Sequence, residues 1–132
     1  MANKFKIKMV TPDGKSLQDE VDILNVVTSS GALGIMANHL PLVATLVISH
    51  INYKKSGKSF DFATSGGIIS VGKEETILLL DSFESKEEID LERANNSKIR
   101  AENRLNSKDE NVDIKRAEVA LKRAINRITL AK

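Results

Sequence analysis

The chain has 132 residues, 41% of them apolar, no Cys and a formal net charge of +2. That length fits one domain or two small ones, and the missing Cys excludes disulfides and thiolate metal sites. No apolar run approaches the roughly 18 residues of a membrane-crossing helix, and the alternating N-terminus Met1 to Lys8 lacks the apolar stretch of a signal peptide.

Phe5, Ile7 and Met9 alternate with Lys4, Lys6 and Lys8, the pattern of a half-buried strand with a solvated lysine face. Pro12-Asp13-Gly14 is a turn, since Pro presets φ and Gly accepts the left-handed position. Val21-Asp22-Ile23 and Asn25 to Thr28 read as two short strands or one bent strand. Gly31 and Gly34 are expected to bracket a tight turn into Ile35-Met36, and Asn38 to Pro41 to form another before the apolar run Leu42 to Ile48. Ile51 and Tyr53 lead into a lysine-rich hairpin turn with Gly57, and Phe60 and Phe62 return. Ser65-Gly66-Gly67 reads as a bend or bulge, and Gly72 to Glu75 as a turn into Thr76 to Leu80. Short strands at regular turn spacing predict an antiparallel β-sandwich over 1–84.

The composition changes at Glu84 to Ala94. Every Gly, Pro and aromatic precedes this stretch, and every Arg lies within or after it. Turn-formers on one side and helix-formers on the other predict an α+β chain: the sandwich, then a helical half over 85–132. Charge divides the same way, with 8 Lys against 9 acids in 1–84 and 12 Lys plus Arg against 9 acids in 85–132. Ser85 and Glu88 read as a capping box that starts a first helix from about Lys86 to Leu105. Ser107 and Glu110 suggest a second box before a helix from about Asn111 to Ala131. A short polar connection makes the two an antiparallel hairpin.

The two helices repeat each other at an offset of 23: Leu91-Glu92-Arg93-Ala94 with Ile114-Lys115-Arg116-Ala117, and Arg100 to Leu105 with Arg123 to Ile128. Arg93, Arg100 and Arg104 fall on one face of the first helix, and Arg116, Arg123 and Arg127 on one face of the second. Ala94 and Ala101 on one helix, with Ala117 and Ala124 on the other, form seams that end in Leu105 and Ile128 and let the helices approach closely. An alanine seam buries little area, so the hairpin is weakly closed. Lined with bidentate donors, it suits an anion clamp; the plainer alternative is two amphipathic helices with solvated arginines. His39 in a turn is the usual place for a structural hydrogen-bonder, and His50 has no nearby Asp, Ser or Cys pattern. Gly66-Gly67 is not a phosphate loop. No metal-ligand spacing and no nucleophile motif occurs, so no catalytic residue and no metal site is assigned.

Ile89-Asp90-Leu91-Glu92-Arg93-Ala94 resembles the nucleotide-binding motif (Ile or Leu, Asp, any, any, Arg, Ala) of the bacterial F-type ATP synthase epsilon subunit. Gly31-Ala32-Leu33-Gly34-Ile35-Met36-Ala37-Asn38-His39-Leu40-Pro41 to Leu46 resembles the signature of that subunit's sandwich, and the Gly66-Gly67 bend matches too. The departures are Ala32, where the family usually has an acid, and Asn38, where it often has Gly. The resemblance implies a sandwich that binds the gamma subunit and c-ring, with Gly31, Gly34, His39 and Pro41 at the subunit interface. It also implies a hairpin that folds around ATP through Glu84, Ile89, Asp90, Arg93, Ala94, Arg100, Arg123 and Arg127. ATP is then a regulatory ligand, with any role of Mg²⁺ open. The implied protein is a non-catalytic rotor subunit, peripheral to the bacterial membrane on its cytoplasmic side. Without ATP its hairpin extends toward the alpha and beta subunits and blocks ATP hydrolysis. The alternatives are a nucleic-acid-binding module using the arginine faces, and a small nucleotide-binding enzyme, disfavoured by the lack of a P-loop.

Overall fold

The computed structural model describes residues 3–107, 109 and 111–132. Among the described residues ten strands precede two α-helices: β1 (Phe5–Val10), β2 (Ser16–Val21), β3 (Ile23–Thr28), β4 (Gly31–Met36), β5 (Leu42–Leu46), β6 (Ser49–Lys55), β7 (Lys58–Thr64), β8 (Gly67–Val71), β9 (Glu75–Leu80), β10 (Phe83–Ser85), α1 (Leu91–Leu105) and α2 (Ile114–Ala131). The strands run β10-β7-β6-β3-β5-β8-β9-β1-β2, with β4 on β3. Only Thr28↔Leu46 pairs β3 with β5, so the sheet folds there into two layers. The far side is tied by Asp19 of β2, which accepts from Tyr53 Oη at 3.0 Å and Lys55 Nζ at 2.6 Å, both on β6.

The period-2 alternation sets which side chains enter the sandwich. Ile7, Met9, Val21, Leu24, Ile35, Ile51, Ile69 and Leu78 are at most 1% exposed, while the lysines alternating with them in β1 point outward. Tyr53 stacks on Phe60 and Phe62, and Phe62 meets Phe83 edge to face. Eight of the nine pairings among the described residues are antiparallel; β1 and β9 run parallel, Lys6↔Glu75 to Val10↔Leu79. Turn signals report only on consecutive strands, so this long-range pair leaves no local mark.

Gly31 and Gly34 do not bracket a turn. The turn is Ser29-Ser30, closed by Ser30 N–H donating to Thr28 Oγ1 at 3.1 Å, and both glycines lie in β4. Asn38 takes φ 66°, the left-handed position its side chain tolerates. Ser56-Gly57 makes the β6–β7 turn with φ positive at both positions, as a two-residue hairpin requires. Ser65-Gly66-Gly67 carries the chain from one layer to the other. A Cβ on Gly67 would stand 2.1 Å from the Leu79 carbonyl oxygen, so only glycine passes there.

The helical half starts later than its first capping signal. The capping box is present, with Ser85 N–H donating to Glu88 Oε1 at 3.0 Å, but it starts a single 3₁₀ turn, Lys86–Glu88. Ile89 and Asp90 are extended. Asp90 caps α1 by accepting the Arg93 N–H, and Asp113 caps α2 by accepting the Arg116 N–H, both at 3.0 Å. The expected start of the second helix at Asn111 therefore moves to Ile114, because Asp113 holds extended φ and ψ. The Ser107–Glu110 box falls partly outside the described residues. Along the seam Ala94, Ala101, Ala117 and Ala124 are 3%, 1%, 0% and 1% exposed, as the repeat requires of two closely packed helices.

Candidate functional site

The candidate site lies where α2 meets the sandwich. The stripe Arg123, Asn126 and Arg127 turns toward Ala63, Thr64, Ser65, Ser82 and Glu84 and closes a crevice too narrow for a water molecule. The seam residues Ala117 and Ala124 sit about 100° round the helix, against α1, so one helix serves two contacts. Arg127 Nε donates to Glu84 Oε1 at 2.6 Å, with the two side chains 34% and 27% exposed. Two residues expected on the same ligand are thus held on each other.

The other expected residues divide. Asp90 spends its carboxylate on the α1 cap, and Ala94 is buried in the seam. Ile89 is half-buried at the extended step. Arg93 and Arg100 lie on the exposed face of α1, where Arg100 Nη2 donates to Ser97 Oγ at 3.0 Å. Three of the eight, Glu84, Arg123 and Arg127, therefore converge on the crevice. The structure also shows that the Asp-x-x-Arg-Ala pattern occurs twice, at Asp90 to Ala94 and at Asp113 to Ala117, and that both aspartates are caps. The helical repeat starts earlier than Leu91, and the motif's aspartate has a structural task in each copy.

Three residues outside the sequence-based set hold this junction. Asn126 Nδ2 donates to the Ser49 carbonyl at 2.7 Å and the Thr64 carbonyl at 3.4 Å, and His50 Nε2 donates to the Asn126 carbonyl at 2.9 Å. Lys15, at the β1–β2 turn, donates to the Phe83 carbonyl and to Glu88 Oε2, each at 2.7 Å, and its ammonium stands 4.6 Å from the Phe83 ring centroid. The Lys15 hydrogen bond, with the Ser85 amide second, holds the Glu88 carboxyl below its ordinary pKa. No local pattern singles these out, because their partners are 62 to 77 residues away, or 68 and 73 for Lys15.

The expected interface residues are spread along β4 and the turn that follows it. His39 and Pro41 line an open depression of about 320 Å³ with Met36, Leu40 and Phe5. His39 Nδ1 donates to the Leu40 carbonyl at 2.7 Å, the structural use expected of it. Gly31 lines a neighbouring depression with Val43 and Ile68. Gly34 is paired with Asn25 inside β4. Met36, Leu40 and Val43 are 56%, 80% and 71% exposed, a concentration of apolar surface suited to a protein contact. Among the described residues no group of three or more His, Cys, Asp or Glu is placed to hold a metal, and no helix is long and apolar enough to cross a membrane.

Residues 4–86 match the β-sandwich domain family of the ATP synthase delta/epsilon chain, and residues 87–132 match its long alpha-helix domain family. An ATP synthase epsilon chain of Bacillus cytotoxicus is 45% identical over 127 residues, covering 96% of each chain. That of Desulfitobacterium hafniense is 39% identical over 132 residues, covering 100% of this chain and 99% of its own. A chain in the Euglena gracilis mitochondrial ATP synthase (OSCP, F1 and c-ring) shares the fold with a TM-score of 0.79 at 24% identity, over 92% of this chain and 78% of that one. A second, from the central stalk and c-ring of the Tetrahymena thermophila enzyme, has a TM-score of 0.58 at 14% identity. Sandwich and hairpin both match, and the relatives align from end to end: the chain belongs to the ATP synthase epsilon-chain family.

Proposed function

We propose that this epsilon subunit of the ATP synthase central stalk uses its hairpin as an ATP-sensitive brake on ATP hydrolysis, with no active site of its own. The observation that carries the reading is the convergence of Glu84, Arg123 and Arg127 at the joint between sandwich and hairpin. Two guanidiniums against a strand edge rich in hydroxyls offer phosphate oxygens the planar donor pairs they accept best. The closed crevice must widen and Arg127 must exchange Glu84 for the anion, so binding and hairpin geometry are linked. Arg93 and Arg100 supply further donors on α1, and Ile89, Asp90 and Ala94 stand at its start.

A ligand that binds only one arrangement stabilises it by RT ln(1 + [L]/Kd), about 2.7 kcal/mol at 100 times Kd. A hairpin whose seam is four buried alanines, with Ile128 as the one large buried side chain of its helices among the described residues, is weak enough for that to decide its state. Released, its basic surface suits the acidic faces of the beta and alpha subunits. The apolar surface around Met36, Leu40, Val43, His39 and Pro41 suits the gamma subunit and c-ring, which would hold the protein at the cytoplasmic face of a bacterial membrane through the complex. Calorimetric titration of ATP and then ADP into the full chain tests the reading. Saturable ATP binding, weaker for ADP and lost in Arg123→Ala, supports it; no binding up to millimolar ATP removes the nucleotide from it.

A further inference from the structure

We propose that the tip of the β6–β7 turn is a direct contact for the anionic headgroups of a membrane surface, made by Lys4, Lys54 and Lys58. The turn is held in shape from outside itself. Ser56 has φ 50°, a left-handed position that non-glycine residues rarely take. Its N–H donates to Asp22 Oδ2 at 2.9 Å, and the Asp22 N–H donates to the Lys54 carbonyl at 2.8 Å. Lys4 Nζ donates to Ser56 Oγ at 2.8 Å across a separation of 52 residues. The fold thus brings a fourth ammonium to a turn that already carries Lys54, Lys55 and Lys58.

Positive charge there is left uncompensated. Lys55 and Lys58 are register partners, which sets like charges across the ladder. Asp19 relieves Lys55 at 2.6 Å, while the Asp22 carboxylate accepts the Ser56 amide. Among the described residues Lys4, Lys54 and Lys58 form no ion pair, and all three are exposed. Lys6 differs, since its register partners are Glu20 and Glu75. The excess is therefore local to the tip, in a half of the chain that has 8 Lys against 9 acids.

Two features favour a membrane over a single anion or an acidic protein. No Arg occurs in 1–84. A guanidinium fork fits one carboxylate or phosphate, whereas an ammonium on a flexible stem is a point charge suited to many headgroups at once. The tip also stands beside exposed apolar surface. Ile23 pairs with Lys54 on one side and Met36 on the other, and Met36 and Leu40 are 56% and 80% exposed. Lysines beside exposed apolar side chains are the composition of surfaces that settle into a headgroup layer.

The inference goes beyond the reading above, in which the complex alone holds the protein at the membrane, and it needs neither nucleotide nor partner subunit. The full chain is floated, without ATP, with phosphatidylcholine vesicles carrying increasing phosphatidylglycerol. Binding should rise with the anionic fraction and fall with salt. The triple variant Lys4→Gln, Lys54→Gln, Lys58→Gln should weaken it on the order of 100-fold, at roughly fivefold per lysine. Arg at the same three positions should preserve it. The helical half is also basic, so Lys98→Gln, Lys115→Gln, Lys122→Gln removes equal charge there and should stay within about threefold of the parent. Inorganic phosphate should displace no more protein than chloride of equal ionic strength. Far-UV circular dichroism confirms that each variant is folded. Equal binding to neutral and anionic vesicles, a tip variant that binds like the parent, or equal losses in the tip and hairpin variants would overturn the contact. So would displacement by phosphate beyond its ionic strength, which marks a discrete anion pocket, or binding to polyglutamate and not to vesicles, which marks a protein partner.

Discussion

Enlarging one seam alanine should separate the helices while leaving the sandwich untouched. Ala117 is 0% exposed and belongs to a seam whose other members are also fully buried. Replacing its methyl with the isobutyl group of Leu leaves the new carbons nowhere to go. Overpacking of this kind costs about 1–3 kcal/mol. The four seam methyls together contribute on the order of 3 kcal/mol at ~0.8 kcal/mol each, so the penalty is comparable to the whole stabilisation of the seam. For a unit of this size that corresponds to a fall in Tm of roughly 5–20 °C. Two probes divide the molecule cleanly. All aromatics precede Glu84, so Tyr53 fluorescence follows the sandwich, and far-UV circular dichroism is dominated by the helices. The helical transition of Ala117→Leu should drop by that amount and the Tyr53 transition should not move. If both fall together, the hairpin is no independent weak unit. If neither moves, the helices have room that the buried seam does not suggest.

Three further outcomes follow from the geometry. A double-mutant cycle on Glu84→Gln and Arg127→Met should return a coupling of about 1 kcal/mol that weakens in salt, because the pair is close but about one-third exposed; zero coupling in urea melts would mean the contact stabilises nothing. Gly67→Ala should cost more than ~3 kcal/mol of sandwich stability, since its Cβ would meet the Leu79 carbonyl oxygen at 2.1 Å on backbone with φ 153°, and a loss under ~1 kcal/mol would show that the strand can move aside. Burial first, and the hydrogen bond to Asp19 second, push Tyr53 from 10.0 up to about 12. A raised folded pKa means this contribution is complete below pH 10 and is lost as pH rises through about 12. Ultraviolet titration of this single tyrosine should therefore have its midpoint near 12 in the native chain. Asp19→Asn should lower it, and a native midpoint near the ordinary value would refute the assignment.

Acid tests the same cluster from the other side. Partial burial works to raise the Asp19 pKa, but hydrogen bonds from Lys55 and Tyr53 outweigh it and leave the carboxyl below 3.8. Its contribution is thus present above that value and is lost as pH falls through the lowered one. The cluster bridges β2 and β6, strands at a distance in the sheet order, so its titration reports on the closure of the sandwich and not on any single hairpin.

Much of the molecule was legible residue by residue. The alternation in β1, the Ser56-Gly57 turn and the alanine seams follow from periods of 2 and 3.6 and from the left-handed demands of tight turns, all of which act over a few residues. The arginine stripes were legible for the same reason. The start of α1 was harder: Ser85-Glu88 and Asp90-Arg93 are both valid capping signals, and local sequence does not say which one opens the long helix. The structure uses both, the first for a 3₁₀ turn held by Lys15 and the second for the helix.

The sequence by itself determined the two halves, the faces of the helices and the arginine stripes on them, because propensity and periodicity are local properties of the chain. Tertiary structure alone decided which arginines face the sandwich, that Glu84 holds Arg127, that β1 runs parallel to β9, and that Asn126 rather than its repeat partner Asn103 meets a strand end. Each of those depends on groups brought together from tens of residues apart. Such contacts are selected by the packing of whole elements, and a local pattern repeated at two positions cannot say which copy will find its partner.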